Sequence, residues 1–387
     1  MINIINKYNC CGCAACVQVC PKQCIQFNED EQGFNYPNVD SERCVNCGFC
    51  EKVCPVINQN DVRYPNRVYA AKSIGENVRN NSSSGGIFPL IAGYIINEGG
   101  VVFGAIFDEK WGVIHSCTES IDGLAPFLGS KYVQSVIGES YIKAKQFLDS
   151  GRNVLFTGTP CQIAGLKKFL PKEYPNRLTS DVVCHGVPSP LVWRSYLEYV
   201  REQKPGYDIT NITFRSKSTG WRQYSLLIHG KKLKHEQQEE IILQESVAEN
   251  LYMQLSLNDL TLRPSCFECP SKCGKSYSDI TLGDFWGIEN IYPMIDDNKG
   301  ISLVMLNTDR GAELFNKLSV FKLESSYELA VKYNSCIERS VKENNFVKMF
   351  WDIFTADGIV ASTRVLKYLK LTIIDRLRHR LRRFIKR

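Results

Sequence analysis

The chain has 387 residues, of which 44% are hydrophobic and 23% charged, and its formal net charge is +6. This length and composition allow a large buried core and more than one domain, which excludes a disordered protein. Its longest apolar stretch, 85–107, is interrupted by Asn97 and Glu98, so we expect no membrane-spanning helix. Residues 1–9 lack the features of an export signal. We therefore expect a cytoplasmic protein whose seventeen cysteines bind metal or take part in redox chemistry.

Two copies of the pattern Cys-x2-Cys-x2-Cys-x3-Cys-Pro open the chain, and matching positions are 34 residues apart. In bacterial two-cluster ferredoxins each run gives three thiolates to one 4Fe-4S cube and its fourth to the other cube. Disulfides and zinc are disfavoured, because cytosolic thiols stay reduced and zinc sites use separated Cys pairs. The predicted first set is Cys10, Cys13, Cys16 and Cys54, and the predicted second set is Cys44, Cys47, Cys50 and Cys20.

A polar, charged stretch at 58–66 has the composition of a linker, so we predict a ferredoxin-type domain at 1–60 and a second domain from Val68. Helices and strands alternate in this second domain, which predicts an α/β core, and short alternating runs after Ile209 indicate antiparallel strands. The predicted helices are 86–97, 141–148 and 162–170, and the predicted strands are 101–107, 153–157, 180–184, 212–215, 224–229 and 279–282.

Two loops could hold the phosphate of a cofactor. Thr157-Gly158-Thr159-Pro160 joins a predicted strand to a predicted helix, whose first amides are unpaired and whose dipole favours anions. Ser82-Ser83-Ser84-Gly85-Gly86 also precedes a predicted helix and offers hydroxyls and flexible amides. The first loop could equally be a simple turn. The second could be a linker, but its position against an apolar helix favours a binding loop.

Five later cysteines could form a third metal site. Cys161 and Cys184 follow predicted parallel strands, so both would emerge at the carboxyl edge of the sheet, where ligands bind. Cys266 and Cys269 lie in a later loop, followed by Cys273. Four of these thiolates would suffice for a cube. The alternative is that Cys161 and Cys184 are ordinary buried thiols and that the last three bind zinc or nothing.

Three segments resemble the deazaflavin-reducing hydrogenase/dehydrogenase beta-subunit family: 158–162 (GTPCQ), 183–190 (VCHGVPSP) and 278–287 (SDITLGDFWG). The likeness spans about Val68 to Glu289, and 84–86 (SGG) and 129–135 (GSKYVQS) also match. The resemblance implies an α/β flavin-binding domain with a mixed sheet at 68–290 and leaves 291–387 as a C-terminal extension. It also implies FAD and a further 4Fe-4S cluster, and electron exchange with a deazaflavin coenzyme.

By this resemblance FAD would contact Ser83, Ser84, Gly85, Gly86, Ser130, Lys131, Tyr132, Thr157, Gly158 and Thr159. The cluster would sit on Cys161, Cys184, Cys266 and Cys269, with Cys273 as a competing fourth ligand. As catalytic candidates we name Lys131, which could stabilise negative charge on flavin or pyrophosphate, and His185, which could donate a proton. Each could equally be a residue without a catalytic role.

Two functions fit these expectations. The first is a flavin and iron-sulfur oxidoreductase that exchanges electrons with ferredoxin or a reduced deazaflavin and acts on an organic substrate, which the resemblance suggests could be sugar-linked. The second is an electron-transfer subunit that serves a separate catalytic partner. A flavin would connect two-electron chemistry with one-electron clusters in either case.

The helical C-terminal tail carries apolar residues at helical spacing opposite a cluster of cations. Such a helix at 366–387 could lie on the inner surface of an anionic membrane, bind a partner, or simply cover the core. We expect no nucleic-acid binding, because neither an aromatic platform nor a recognition fold accompanies these charges.

Overall fold

A computed structural model describes residues 1–233 and 235–371. Among the described residues we number twelve α-helices and thirteen strands; a further helical segment at 363–371 is treated separately below. The helices are α1 (Ala15–Val19), α2 (Phe49–Lys52), α3 (Glu76–Asn80), α4 (Ile87–Asn97), α5 (Ser140–Asp149), α6 (Pro160–Phe169), α7 (Pro190–Gln203), α8 (Leu251–Leu257), α9 (Ile288–Ile291), α10 (Asp309–Asn316), α11 (Tyr327–Tyr333) and α12 (Val347–Ala361).

The strands are β1 (Ile25–Glu29), β2 (Asn35–Val39), β3 (Arg67–Ser73), β4 (Val101–Phe107), β5 (Val113–Thr118), β6 (Val154–Gly158), β7 (Arg177–Val182), β8 (Tyr207–Ser216), β9 (Ser225–Lys232), β10 (His235–Ser246), β11 (Ile280–Asp284), β12 (Ser302–Leu306) and β13 (Val320–Ser325). They form an N-terminal hairpin of β1 and β2, a three-stranded antiparallel sheet β10-β9-β8, and an eight-stranded sheet in the order β13-β3-β12-β11-β7-β6-β4-β5.

The eight-stranded sheet is mixed, as predicted. Strands β11, β7, β6 and β4 are mutually parallel, while β12 runs antiparallel to both β11 and β3. Strand β3 therefore points the same way as the parallel group. The carboxyl ends of all five strands consequently meet at one edge, which is where open α/β sheets bind ligands.

The core of this sheet lies between its faces and the flanking helices. Strands β4 and β6 are largely buried, and helix α4 packs against β3 and β4 through Ile87, Ile91 and Ile95. Phe103 stacks on Phe156 with ring centroids 5.4 Å apart. Continuous burial on both faces explains why β4 and β6 read as unbroken apolar runs.

Two differences from the predicted boundaries bear on the candidate site and the domain division. The strand predicted at 180–184 ends at Val182, so Cys184 lies in the following loop. The boundary predicted between residues 290 and 291 falls inside the large sheet, because β12 is hydrogen-bonded between β3 and β11. The sequence predicts an extension there because the family resemblance adds little beyond Glu289.

The predicted tail helix lies largely outside the described residues, which end at 371. Residues 363–371 are helical. Among the residues that the structure describes, none lies in a helix long and apolar enough to span a membrane.

Candidate redox site

The duplicated cysteine runs share a backbone conformation as well as a spacing. Gly12 and Asn46 occupy matching positions and have φ of 71° and 53°, and the next matching pair, Ala14 and Gly48, has φ of 62° and 76°. Each run then enters a short helix, α1 or α2. Left-handed residues at the same two places allow each loop to curl tightly around a common centre.

The first predicted set converges in the interior. Cys10, Cys13, Cys16 and Cys54 are all buried. Burial raises the pKa of the Cys16 thiol, and the nearby thiols of Cys10 and Cys54 raise it further. Cys54 therefore lies beside the run that begins at Cys10, although it belongs to the other run.

The second predicted set surrounds a cavity of about 350 Å³. The thiol-bearing residues that line it are Cys20, Cys24, Cys44, Cys47 and Cys50. Cys47 is exposed, so this set faces solvent where the first does not. Cys24, which the spacing pattern does not include, places its sulfur 3.4 Å from that of Cys20.

The later cysteines meet at the carboxyl edge of the large sheet. A cavity of about 800 Å³ is lined by all four residues of the predicted third set, Cys161, Cys184, Cys266 and Cys269. Burial raises the pKa of the Cys184 thiol, Lys272 opposes this, and the thiols of Cys266, Cys161 and Cys269 add to the rise. Cys273 instead directs its thiol to the carbonyl of Glu338, at 3.2 Å, which favours Cys184 as the fourth member.

Local structure explains how this third set assembles. Cys161 is the second residue of α6, and Cys266 ends a 3-10 turn at Pro264–Cys266. The Cys266 sulfur accepts the backbone N–H of Val187 at 3.4 Å, and the backbone N–H of Cys269 donates to the Ser340 hydroxyl at 2.8 Å. The first contact fixes the Cys266 thiol beside the loop that follows β7, and the second ties the Cys269 backbone to Ser340.

The separation of the thiols in each set bears on whether the set could hold a single metal ion or a 4Fe-4S cluster. Within residues 1–233 and 235–371, no three His, Cys, Asp or Glu side chains converge tightly enough to hold one metal ion. In a 4Fe-4S cube each of the four cysteines binds a different iron, so the thiols stand further apart. The two N-terminal sets have the cysteine spacing of such cubes.

The predicted FAD loops separate into two structural groups. Ser83 accepts the backbone N–H of Ser130 at 2.8 Å, so these two serine loops meet. In the Thr157–Thr159 turn, by contrast, the backbone N–H of Thr159 donates to Gln162 Oε1 at 2.9 Å, which caps α6 internally. The Thr159 hydroxyl lies 3.2 Å from the Cys161 sulfur, so this turn positions a thiol.

Lys131 and two residues that the sequence did not single out form a cationic region beside the serine loops. The Lys131 amine donates to the carbonyls of Leu128 and Gly129, and burial lowers its pKa to about 8. The Lys217 amine donates to the carbonyl of Ser84 at 2.6 Å, and burial, with Arg79 and Arg215 nearby, lowers its pKa to about 7.

Arg215 completes this region. One of its nitrogens pairs with Asp284, while Nε and Nη2 are buried and have no hydrogen-bond partner among the described residues. The guanidinium lies 4.4 Å from the ring centroid of Tyr224 and 5.4 Å from that of Trp286. Buried donors without acceptors are costly, so the region is suited to an anionic or acceptor-rich ligand.

His185 lies apart from the serine loops, at the cavity of the third thiol set. Its Nε2 is 2.5 Å from Asp259 Oδ1, and the side chain is 45% exposed. The structure therefore places the two predicted catalytic residues in different surroundings, Lys131 beside the serine loops and His185 beside the thiols.

Comparison with known proteins finds matches for both the N-terminal cysteine runs and the domain that follows them. Residues 151–325 match the family model for the C terminus of the beta subunit of coenzyme F420 hydrogenase/dehydrogenase, and residues 9–58 match a 4Fe-4S dicluster domain. The coenzyme F420-dependent sulfite reductase of Methanocaldococcus jannaschii is 22% identical over 382 residues, covering 92% of this chain and 54% of the relative. The chain thus spans about half the length of that protein.

Two further matches cover different parts of the chain. The ketoisovalerate oxidoreductase protein VorC of Methanothermobacter marburgensis is 33% identical over 61 residues, covering 15% of this chain and 77% of that protein. A chain of the F420-reducing [NiFe] hydrogenase complex from Methanosarcina barkeri aligns at 16% identity with a TM-score of 0.48, covering 76% of this chain and 94% of that one.

Proposed function

This chain carries the C-terminal domain of the coenzyme F420 hydrogenase/dehydrogenase beta subunit behind a ferredoxin-type 4Fe-4S domain, and from this premise we propose that it is an iron-sulfur flavoprotein oxidoreductase. It exchanges single electrons with a protein carrier such as ferredoxin at its N-terminal domain. It exchanges electron pairs with an organic substrate or a deazaflavin at FAD. The observation that best supports the proposal is that the predicted ligands gather at three places: Cys10, Cys16 and Cys54 lie near one another, and each of the other two sets lines a pocket.

The arrangement of the three sets supports a linear order. The second set, with the exposed Cys47, is open to an outside carrier. The first set is buried against α6, where Gly165 allows the close approach of Cys13: a Cβ at Gly165 would lie 2.9 Å from the Cys13 Cβ. Cys161, at the start of the same helix, belongs to the third set. The first set therefore lies between the other two.

Cys11 connects the first and third sets directly. It is buried, and its thiol pKa is raised by a hydrogen bond with Cys13, although one with Cys161 opposes the rise. A residue that contacts members of both sets keeps the separation between them short. Cys11 lies outside the spacing pattern, so nothing in the sequence alone assigned it this position.

The cationic region beside the serine loops supports FAD. Ser83 and Ser130 offer hydroxyls, and Lys131, Lys217 and Arg215 supply positive charge for a diphosphate. Bound there, FAD would supply the conversion between electron pairs and single electrons.

Iron and sulfide counts on anaerobically purified protein test this proposal. We expect about twelve irons per chain, from three cubes with four irons each. Cys184→Ser should remove about four of them, whereas Cys273→Ser should remove none. Cys117→Ser is a matched control, because Cys117 is a half-buried cysteine on β5. A wild-type count of about eight that Cys184→Ser does not change would contradict the third cluster.

A second function, that of an electron-transfer subunit for a separate catalytic partner, is supported by the partial coverage of the sulfite reductase relative, since the alignment reaches only 54% of that protein. Reoxidation of the reduced flavin in purified protein distinguishes the two functions. An oxidoreductase with its own substrate reoxidises its reduced flavin when that substrate or a deazaflavin is added. A protein of the second kind does so only when its partner is present.

A further inference from the structure

Arg263 is a buried cation that joins two of the cysteine sets. Its side chain is 0% exposed. Its backbone lies in the third set, because the N–H of Cys266 donates to the Arg263 carbonyl at 2.9 Å. Its guanidinium reaches the first set, where Nε donates to the Cys10 carbonyl at 2.7 Å and Nη2 lies 3.5 Å from the Cys10 sulfur.

The surroundings of this guanidinium are neutral apart from sulfur. Nη1 donates to Gln134 Oε1 at 2.9 Å and Nη2 to the Asn35 carbonyl at 3.0 Å. In residues 1–233 and 235–371, none of the ion pairs between acidic and basic side chains includes Arg263. The guanidinium lies 4.3 Å from the ring centroid of Tyr36 and 5.4 Å from that of Phe34, which shield it from water.

A buried charge without an opposite charge is strongly destabilising, so this cation needs a negative partner. A cube held by four thiolates is negatively charged and becomes more so when it gains an electron. An adjacent cation therefore stabilises the reduced state more than the oxidised state.

The cations beside the duplicated set are exposed rather than buried: the Met1 amine and Lys22 line its pocket, and both residues face solvent. Cys44 corresponds to Cys10, and its sulfur lies 3.8 Å from the side-chain oxygen of the exposed Asn46. The neighbouring Arg43 is exposed and donates to the Lys22 carbonyl, so solvent screens its charge. Two runs with the same cysteine spacing and matching backbone φ values thus differ in the buried positive charge beside them.

We propose that Arg263 sets the reduction potential of the cluster held by Cys10, Cys13, Cys16 and Cys54, raising it above that of the exposed cluster, so that electrons entering from outside move inward. The inference rests on the ligand sets proposed above. Arg263 is a positioning residue that acts on the cluster through the Cys10 thiolate. Its substitution therefore changes the reduction potential of that cluster. The one-electron reductant is whichever carrier reduces the exposed cluster.

An EPR-monitored redox titration of the anaerobic holoprotein tests this role. Arg263→Gln should lower the midpoint of one N-terminal cluster while leaving the other unchanged. The expected change is at least tenfold in the reduced-to-oxidised ratio at a fixed potential, about 59 mV for one electron. Arg263→Lys, which keeps the charge, should retain most of the wild-type value. Arg43→Gln, which removes an exposed arginine beside the other set, should shift neither midpoint.

A second variant keeps the inference testable if Arg263→Gln loses iron. Gln134→Glu places a carboxylate against the guanidinium at a partner position 2.9 Å away and cancels its charge without removing it. It should lower the same midpoint. Unchanged midpoints in either variant with full iron content, or equal shifts of both N-terminal clusters, would overturn this inference alone. Wild-type protein without N-terminal cluster signals would instead overturn the proposed function.

Discussion

Lys217 provides a sharp test of the proposed FAD site, because its amine is held by three carbonyls, those of Arg79, Ser84 and Lys299. Burial, reinforced by Arg79 and Arg215, lowers its pKa to about 7. The protein without FAD therefore disfavours the protonated amine, whereas a bound diphosphate favours it. Binding must take up a proton above pH 7, so FAD affinity should fall as pH rises.

The size of the effect follows from the fraction of protein with a charged Lys217. With a pKa of about 7, this fraction falls from about one half at pH 7 to about one hundredth at pH 9, so Lys217 alone should raise the dissociation constant about 50-fold. Lys217→Arg stays charged throughout this range. In this variant the dissociation constant for FAD should rise at most about tenfold between pH 7 and pH 9. That remaining rise comes from Lys131, because burial lowers its pKa to about 8.

Equilibrium ultrafiltration of apoprotein with FAD between pH 7 and pH 9 measures these constants. Lys145→Arg serves as the control, because Lys145 is on the outer face of α5 and pairs with Asp149. It should retain the wild-type pH dependence. A wild-type dissociation constant that stays constant over this range, or a Lys217→Arg variant with the full wild-type slope, would refute the reasoning.

Three further predictions concern packing and pH. Gly165→Ala should lower the free energy of unfolding by about 1–3 kcal/mol and loosen the first cluster, because the new Cβ would lie 2.9 Å from the Cys13 Cβ. Denaturant titration and iron counts measure these two effects. Gly93→Ala is the control, because the atom nearest to its new Cβ would be 3.8 Å away. Phe156→Ala should cost about 3–5 kcal/mol by denaturant titration, because Phe156 is fully buried and stacked on Phe103. Burial lowers the pKa of His115 to about 4, so the unfolded chain binds its proton first and stability should fall as pH drops from about 6.5 toward 4, by up to about 1.4 kcal/mol per unit. His115→Gln should flatten that part of a thermal-unfolding pH series, and an unchanged slope would contradict the assignment.

The sequence predicted the parts of this molecule that depend on local pattern. The cysteine spacing indicated which thiols cluster, because a tight loop around one centre fixes the intervals between its ligands. Helix α4 and strand β4 were located to within one residue, since both are long apolar segments with clear ends. The third cysteine set has no single spacing pattern, because its members come from three separate segments: the start of α6, the loop after β7 and the turn that begins at Pro264.

Other features depend on long-range contacts and left no local signal. The position of β12 in the middle of the large sheet follows from pairing with β3, more than 200 residues earlier. Arg263, Lys217 and Arg215 look like ordinary basic residues in the sequence, and only the fold buries them, wholly or in part. Buried cations of this kind are recognised only when the structure shows which residues surround them.

The most direct test of the central claim is to follow the clusters and the flavin separately while the anaerobic protein is reduced by a one-electron donor. In the wild type, reduction of the N-terminal clusters should be followed by reduction of FAD. In Cys184→Ser the N-terminal clusters should still be reduced while the flavin stays oxidised on that timescale. Flavin reduction at the wild-type rate in Cys184→Ser would contradict a route through the third cysteine set.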